Sequence, residues 1–120
     1  MASTENKVEL ANLTGRANVA STGTAVQLST TSYLCREVVI SALTTNLYAF
    51  GNSTVDATSG AENGIILSAA AIGDSVTITV DSVEMRGLRG ARQGERFLDL
   101  SELYVDADTS SSDVAWFAYM

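Results

Sequence analysis

The sequence predicts an all-β protein: a single-domain, jelly-roll-like β-sandwich of about eight short antiparallel strands. Val, Ile and Thr dominate its short apolar stretches, several of which alternate with polar residues. Clusters of Gly, Ser, Asn and Asp separate these stretches at fairly even spacing. The 120 residues include no proline, so those four residue types must form the turns. Evidence for helix is limited to residues 68–72, and Gly73 follows them directly.

Alternation and β-branched content predict the positions of the strands. Alternation is clearest at 75–80, where Val76, Ile78 and Val80 share one face. The run Val38-Val39-Ile40 is continuous, which predicts a strand covered on both faces. Even spacing of such strands is typical of a sandwich or a jelly roll. The predicted strands are residues 7–13, 24–29, 37–43, 46–50, 65–67, 75–80, 99–105 and 114–119.

The predicted organisation is a loose N-terminal arm at 1–6 and one sandwich domain at 7–120 with an inserted basic loop at 84–97. The first thirty residues lack the apolar segment of a signal peptide, and the apolar runs are too short to span a bilayer. We therefore expect no membrane partner. Cys35 is the only cysteine, so no intrachain disulfide forms, and we expect a small buried residue there.

The basic residues are concentrated in one segment of an acidic protein. The formal net charge is −7, yet four of the seven basic residues lie in 84–97, separated by glycines. Glycine every three or four residues weakens both helix and strand, which predicts a long loop. The predicted contact residues for a partner or an adjacent subunit are Arg86, Arg89, Arg92 and Arg96.

Two other interpretations of this segment remain open at the level of sequence. The loop can be a solvated one whose charge only offsets the acidic body. It can also contact RNA, although Arg-Gly segments that do so usually carry more arginines and aromatics. Because the rest of the chain is acidic, the sequence argues against nucleic acid as a partner.

The residues of common catalytic sites are largely missing from the sequence. There is no histidine, and Cys35 therefore has no histidine to activate it. The glycines of 84–97 lack the ending of a phosphate-binding loop. We therefore expect no enzyme, no cofactor and no metal. Paired acids of a glycoside hydrolase stay open, because their separation is spatial.

One acidic stretch, 106–113, has some features of a calcium-binding loop. Asp106, Asp108 and Ser110 occupy the first, third and fifth positions of such a loop. However, Ser111 stands where the turn glycine belongs, and Phe117 stands where a bidentate glutamate belongs. The pattern favours an acidic, serine-rich hairpin tip.

The C-terminal run 114–120 is apolar on both alternating faces. A strand with two apolar faces needs a cover on each, and a neighbouring subunit can supply one of them. The predicted oligomer-interface residues are Val114, Trp116, Phe117 and Tyr119.

The order of several short stretches resembles small virion proteins of tailed bacteriophages, of the capsid decoration (cement) and head-fibre type. The resemblance covers about residues 24–120. Its pieces are 32–40 (SYLCREVVI), 46–52 (NLYAFGN), 64–67 (GIIL), 73–78 (GDSVTI), 98–105 (LDLSELYV) and 113–117 (DVAWF). Two departures stand out: residues 81–98 are inserted relative to the pattern, and the first twenty residues lie outside it.

The resemblance implies a β-sandwich or jelly-roll subunit without enzymatic activity, commonly a trimer, attached to a virion surface. It implies a homo-oligomer made in the host cytoplasm whose other partner is the major capsid protein. The alternative function is a head-fibre or tail-tip recognition module that binds host-surface glycan. Such a module should show a concave site with exposed aromatic and acidic residues.

Overall fold

The computed structural model describes residues 8–9, 12–79 and 97–119, which form eleven strands and one 3₁₀ turn at Leu100–Glu102. The strands are β1 (Val8–Glu9), β2 (Asn12–Val19), β3 (Val26–Gln27), β4 (Tyr33–Cys35), β5 (Glu37–Ala42), β6 (Leu47–Gly51), β7 (Ile65–Ser68), β8 (Ser75–Thr79), β9 (Leu98–Asp99), β10 (Tyr104–Ala107) and β11 (Ser112–Tyr119).

Eight of these strands form two four-stranded antiparallel sheets. The front sheet has the order β2-β11-β5-β8, and the back sheet has the order β3-β10-β6-β7. Counted along the chain, the eight strands follow the orders 1-8-3-6 and 2-7-4-5, so the sandwich is jelly-roll-like, as predicted. The other three strands form a small sheet, β1-β4-β9, in which β1 and β4 run parallel.

The main core lies between the front and back sheets. In β5 the buried residues Val38, Ile40 and Ala42 alternate with half-buried ones, so one face of the strand meets the core. The back sheet contributes Phe50 and Val105 to the same cluster. The prediction that β5 is covered on both faces was wrong, because Val39 on its outer face is only half-buried.

Trp116 joins the two sheets. Its indole is buried in the core, and its Nε1–H donates a hydrogen bond of 3.0 Å to the carbonyl of Leu28, which follows β3. Buried indole groups need such a partner. Trp116 also lies over Gly15 of β2, the residue directly opposite it in the antiparallel register.

The predicted strand at 24–29 is shortened to β3, and β4 lies where no strand was predicted. Two further predicted strands are divided or displaced. The predicted strand at 99–105 is divided, because the carboxylate of Asp99 accepts hydrogen bonds from the Ser101 N–H (3.0 Å) and Oγ (2.8 Å). These bonds cap the 3₁₀ turn and end β9 before β10 begins. The predicted strand at 7–13 is displaced, since the long edge strand of the front sheet is β2.

Candidate functional sites: an uncovered sheet face and a polar cleft

The four predicted interface residues lie on opposite faces of β11, two on each face. Val114 and Trp116 are buried in the core of their own chain, so they are not accessible to another molecule. Phe117 and Tyr119 project from the opposite face of the strand, on the outside of the front sheet. Their role in an interface remains a prediction, and it is confined to the outer pair.

The outer face of the front sheet carries a shallow hollow of about 720 Å³. Its apolar part is formed by Val39, Ala115 and Phe117, and the Phe117 side chain is 43% exposed. Phe117 pairs directly with Val39 across β11 and β5. Phe117, Val39 and Ala115 thus form one apolar cluster on the outside of the sheet, which makes this face a candidate contact surface.

Tyr119 is fixed next to Phe117 on this face. The two ring centroids lie 5.3 Å apart, and the Tyr119 hydroxyl donates a hydrogen bond of 2.6 Å to Glu37 Oε2. This hydrogen bond raises the pKa of Tyr119, with burial as a second cause. The aromatic pair is therefore held in place before any partner binds.

Opposite charges lie at two corners of the face. Arg16 of β2 pairs with Ala115, whereas Glu37 of β5 pairs with Tyr119. The two charges thus lie on opposite sides of β11 and on either side of Phe117 along it. Arg16 is 67% exposed at its side chain and lies 3.4 Å from the carboxylate of Asp113. This outer face, which none of the described segments covers, therefore has an apolar centre and a rim with charges of both signs.

The back sheet, in contrast, is covered on its outside. Residues 52–64 connect β6 to β7, and within them Val55 and Ala57 pack with Ala49 of β6 in a second, smaller core. The fully buried carboxylate of Asp106 accepts hydrogen bonds from the N–H groups of Gly23 (3.0 Å) and Ala57 (2.8 Å). Asp106 therefore attaches two loops to the back sheet.

The acids of 106–113 have separate partners. Asp108 accepts a hydrogen bond from the Leu47 N–H (3.2 Å), and Asp113 contacts Arg16 and the Asn18 amide. Within the described residues, no three potential metal ligands come together. The predicted hairpin tip was wrong, because β10 lies in the back sheet and β11 in the front sheet, so residues 108–111 connect the two sheets.

A polar cleft of about 330 Å³ lies where the back sheet meets the 3₁₀ turn. Its lining comes from three separate parts of the chain, which sequence reasoning did not bring together: Gln27, Asn52, Ser53, Ser101, Glu102 and Tyr104. The position of Tyr104 follows from its pairing with Gln27 across β10 and β3. Oε1 of Glu102 is shielded from solvent and has no hydrogen-bond partner among the described residues.

Cys35 is fully buried, as predicted. Burial raises the pKa of its thiol to about 12, so the reactive thiolate is strongly disfavoured. Nearby, the Arg36 guanidinium lies 5.4 Å from the ring centroid of Phe97. Arg86, Arg89, Arg92 and Arg96 lie outside the described residues, so the contact role of these four remains a prediction.

None of the helical segments in the described ranges has the length and apolarity needed to cross a membrane.

Comparisons with known proteins identify no relative of this chain. The chain matches no protein-family model, and neither curated proteins nor solved structures give a match.

Proposed function

We propose that this chain is a structural virion protein, a non-enzymatic decoration (cement) module that binds the outside of a tailed-phage head as a homo-oligomer. The resemblance of residues 24–120 to such proteins suggests the role. A jelly-roll-like sandwich is compatible with it, but a fold alone does not determine a function. The observation that carries the proposal is the outer face of the front sheet, which no segment within the described residues covers.

This face suits a second copy of the same chain. Its apolar centre, Phe117 with Val39 and Ala115, gains from the removal of water. Arg16 and Glu37, at the corners of the face, carry opposite charges. Arg16 of one copy can therefore lie against Glu37 of the other copy, and Glu37 against Arg16. A homo-oligomer formed here leaves the remaining surface for the major capsid protein.

The contact is tested by Phe117→Ser. We expect this substitution to lower the oligomer mass measured by light scattering, while the melting temperature changes little, because Phe117 lies outside the core. The matched control is Ile66→Ser on the back sheet, since Ile66 is also 43% exposed. The oligomer contact lies elsewhere if both variants keep the parental mass.

The virion role is tested by quantitative mass spectrometry of purified particles. A decoration module should be present at a copy number of the same order as the major capsid protein. Only a few copies per particle would instead support the head-fibre or tail-tip recognition module. Absence of the chain from purified particles would exclude both roles.

A further inference from the structure

Phe117 lies midway between the two opposite charges on the outer face of the front sheet. Arg16 of β2 pairs with Ala115, two residues before Phe117, and Glu37 of β5 pairs with Tyr119, two residues after it. Since β2 and β5 flank β11 on opposite sides, the two charges define a diagonal of the sheet. Neighbouring strands lie ~4.8 Å apart and each residue rises ~3.4 Å, so the Cα atoms of both charged residues lie about 8 Å from that of Phe117.

Both charges can reach a second copy of the chain. The Arg16 side chain is 67% exposed, and its contact with Asp113 is long, at 3.4 Å. Glu37 accepts the Tyr119 hydrogen bond at Oε2, which leaves Oε1 for another donor. A register that placed Arg16 against Arg16, or Glu37 against Glu37, would bring like charges together. The favoured register is therefore the one in which Arg16 of each copy meets Glu37 of the other.

This register determines where a symmetry axis would lie. In a twofold dimer both ion pairs form only if the rotation exchanges the Arg16 end of the diagonal with the Glu37 end. The axis then passes through the midpoint of the diagonal, which is Phe117. Each Phe117 ring consequently packs beside the Phe117 ring of the second copy, over the hollow next to Val39 and Ala115. Contact between two aromatic rings is favourable beyond the area that it buries.

We infer that the chain forms a twofold dimer in which two front sheets pack face to face, with Phe117 on the axis and an Arg16–Glu37 ion pair on either side. This arrangement rests on the proposed homo-oligomer contact and specifies its geometry. The strands of the two copies cross at a steep angle, as in orthogonal sheet packing, because each diagonal is matched with the other in reverse. A patch that binds itself is complete when two copies have joined, whereas the trimer that the resemblance implies needs two different patches.

Charge reversal in the full chain tests this geometry. Arg16→Glu and Glu37→Arg each place like charges in both pairs of their own dimer, so each variant alone should associate at least about tenfold more weakly at low salt. A one-to-one mixture of the two variants restores both pairs, because each introduced side chain faces its complement. Sedimentation velocity should therefore give a monomer for each variant alone and a dimer for the mixture. The matched control, Tyr119→Phe, removes the hydrogen bond to Glu37 but neither charge and should keep the parental mass.

The mass of the parent decides the matter even if a charge-reversal variant does not fold. A parental dimer that Phe117→Ser dissociates supports the twofold contact, and so does recovery of the dimer in the mixture. The twofold contact is overturned by a parental trimer, or by folded variants that stay monomeric when mixed, although a decoration role would survive either result. A parent that is monomeric at high micromolar concentration would instead overturn the homo-oligomer itself, and the dimer with it.

Discussion

At position 15 the absence of a side chain is a packing requirement. A Cβ atom added to Gly15 would lie 2.6 Å from Cε2 of Trp116, well inside van der Waals contact. Trp116 has little freedom to move away, because its Nε1–H is bound to Leu28 in the core. An aromatic ring that covers a glycine on an edge strand in this way compensates for the missing side chain.

We therefore expect Gly15→Ala to destabilise the protein by about 1–3 kcal/mol, the usual cost of overpacking a core. Urea denaturation measures the change. Gly51→Ala is the matched control, since its Cβ would meet Val55 at 3.7 Å, an ordinary contact. Because Gly→Ala lowers the entropy of the unfolded chain, Gly51→Ala should lose little stability or gain some. Equal losses in the two variants would contradict the role of the Trp116 contact.

The buried thiol of Cys35 should make the free energy of unfolding depend on pH in the alkaline range. Its thiol has an ordinary pKa of 9.0, which burial raises to about 12 in the folded protein. Between these values the unfolded chain loses a proton that the folded chain keeps. This contribution to the free energy of unfolding is therefore complete below pH 9.0 and is lost as the pH rises towards 12.

Denaturant titrations at a series of pH values check this expectation. Cys35→Ala removes the thiol, so its stability should fall less steeply in the same range. Tyr119, whose pKa is also raised, contributes a loss in both proteins and cancels in the comparison. Parallel curves for the two proteins would contradict the assignment to Cys35.

Among the elements, β2 shows why some boundaries were missed. Its inward positions are Leu13, Gly15, Ala17 and Val19, so the alternation is real but one of its members has no side chain. In the sequence, Gly15 appears to interrupt the alternation of a strand. Only the fold shows that the Trp116 ring fills the space where a side chain at position 15 would lie. By contrast, β8 alternates without interruption and was placed within one residue of its observed end.

Asp106 determines how the loops attach to the back sheet. In Asp106→Asn one carboxylate oxygen becomes an amide donor, so either Gly23 or Ala57 faces a donor instead of an acceptor. We expect a loss of about 1–3 kcal/mol. Hydrogen exchange should accelerate at the Ala57 and Gly23 amides before it does in the front sheet.

The matched control for this variant is Asp108→Asn, two residues further along, in the connection from β10 to β11. Asp108 is exposed, and its main bond to the Leu47 N–H is longer, at 3.2 Å. The control should therefore lose less stability and leave exchange at Ala57 unchanged. If Asp106→Asn is as stable as the parent, other contacts hold the loops.

At the scale of the whole molecule, the sandwich could be predicted from the sequence. The full set of residues that form each of the two candidate sites could not. Alternation reports which residues of β11 share a face, but both faces of this strand are apolar in sequence. It does not report which face is covered, so the predicted interface included Val114 and Trp116 as well as Phe117 and Tyr119. The polar cleft joins Gln27, Asn52 and Glu102, whose proximity depends on strand pairing and on one capped turn.

The balance of charge in the whole molecule leads to the last prediction. Replacing Arg86, Arg89, Arg92 and Arg96 by alanine changes the formal charge from −7 to −11. If these arginines contact acidic groups of the capsid lattice, the variant should attach less to shells purified without this chain. The attachment should also lose much of its dependence on salt. A single exposed ion pair contributes only about 0–1 kcal/mol, so we expect the effect only when all four are replaced.

Co-sedimentation with such shells over a range of salt concentrations measures the attachment. The matched control replaces all four arginines by lysine, which keeps the charge of −7 but removes the guanidinium forks. Attachment by the lysine variant at parental strength would show that charge alone suffices, whereas a partial loss would point to bidentate pairing with carboxylates. If the alanine variant attaches as well as the parent at every salt concentration, the four arginines do not contact the shell, and their charge only offsets the acidic body.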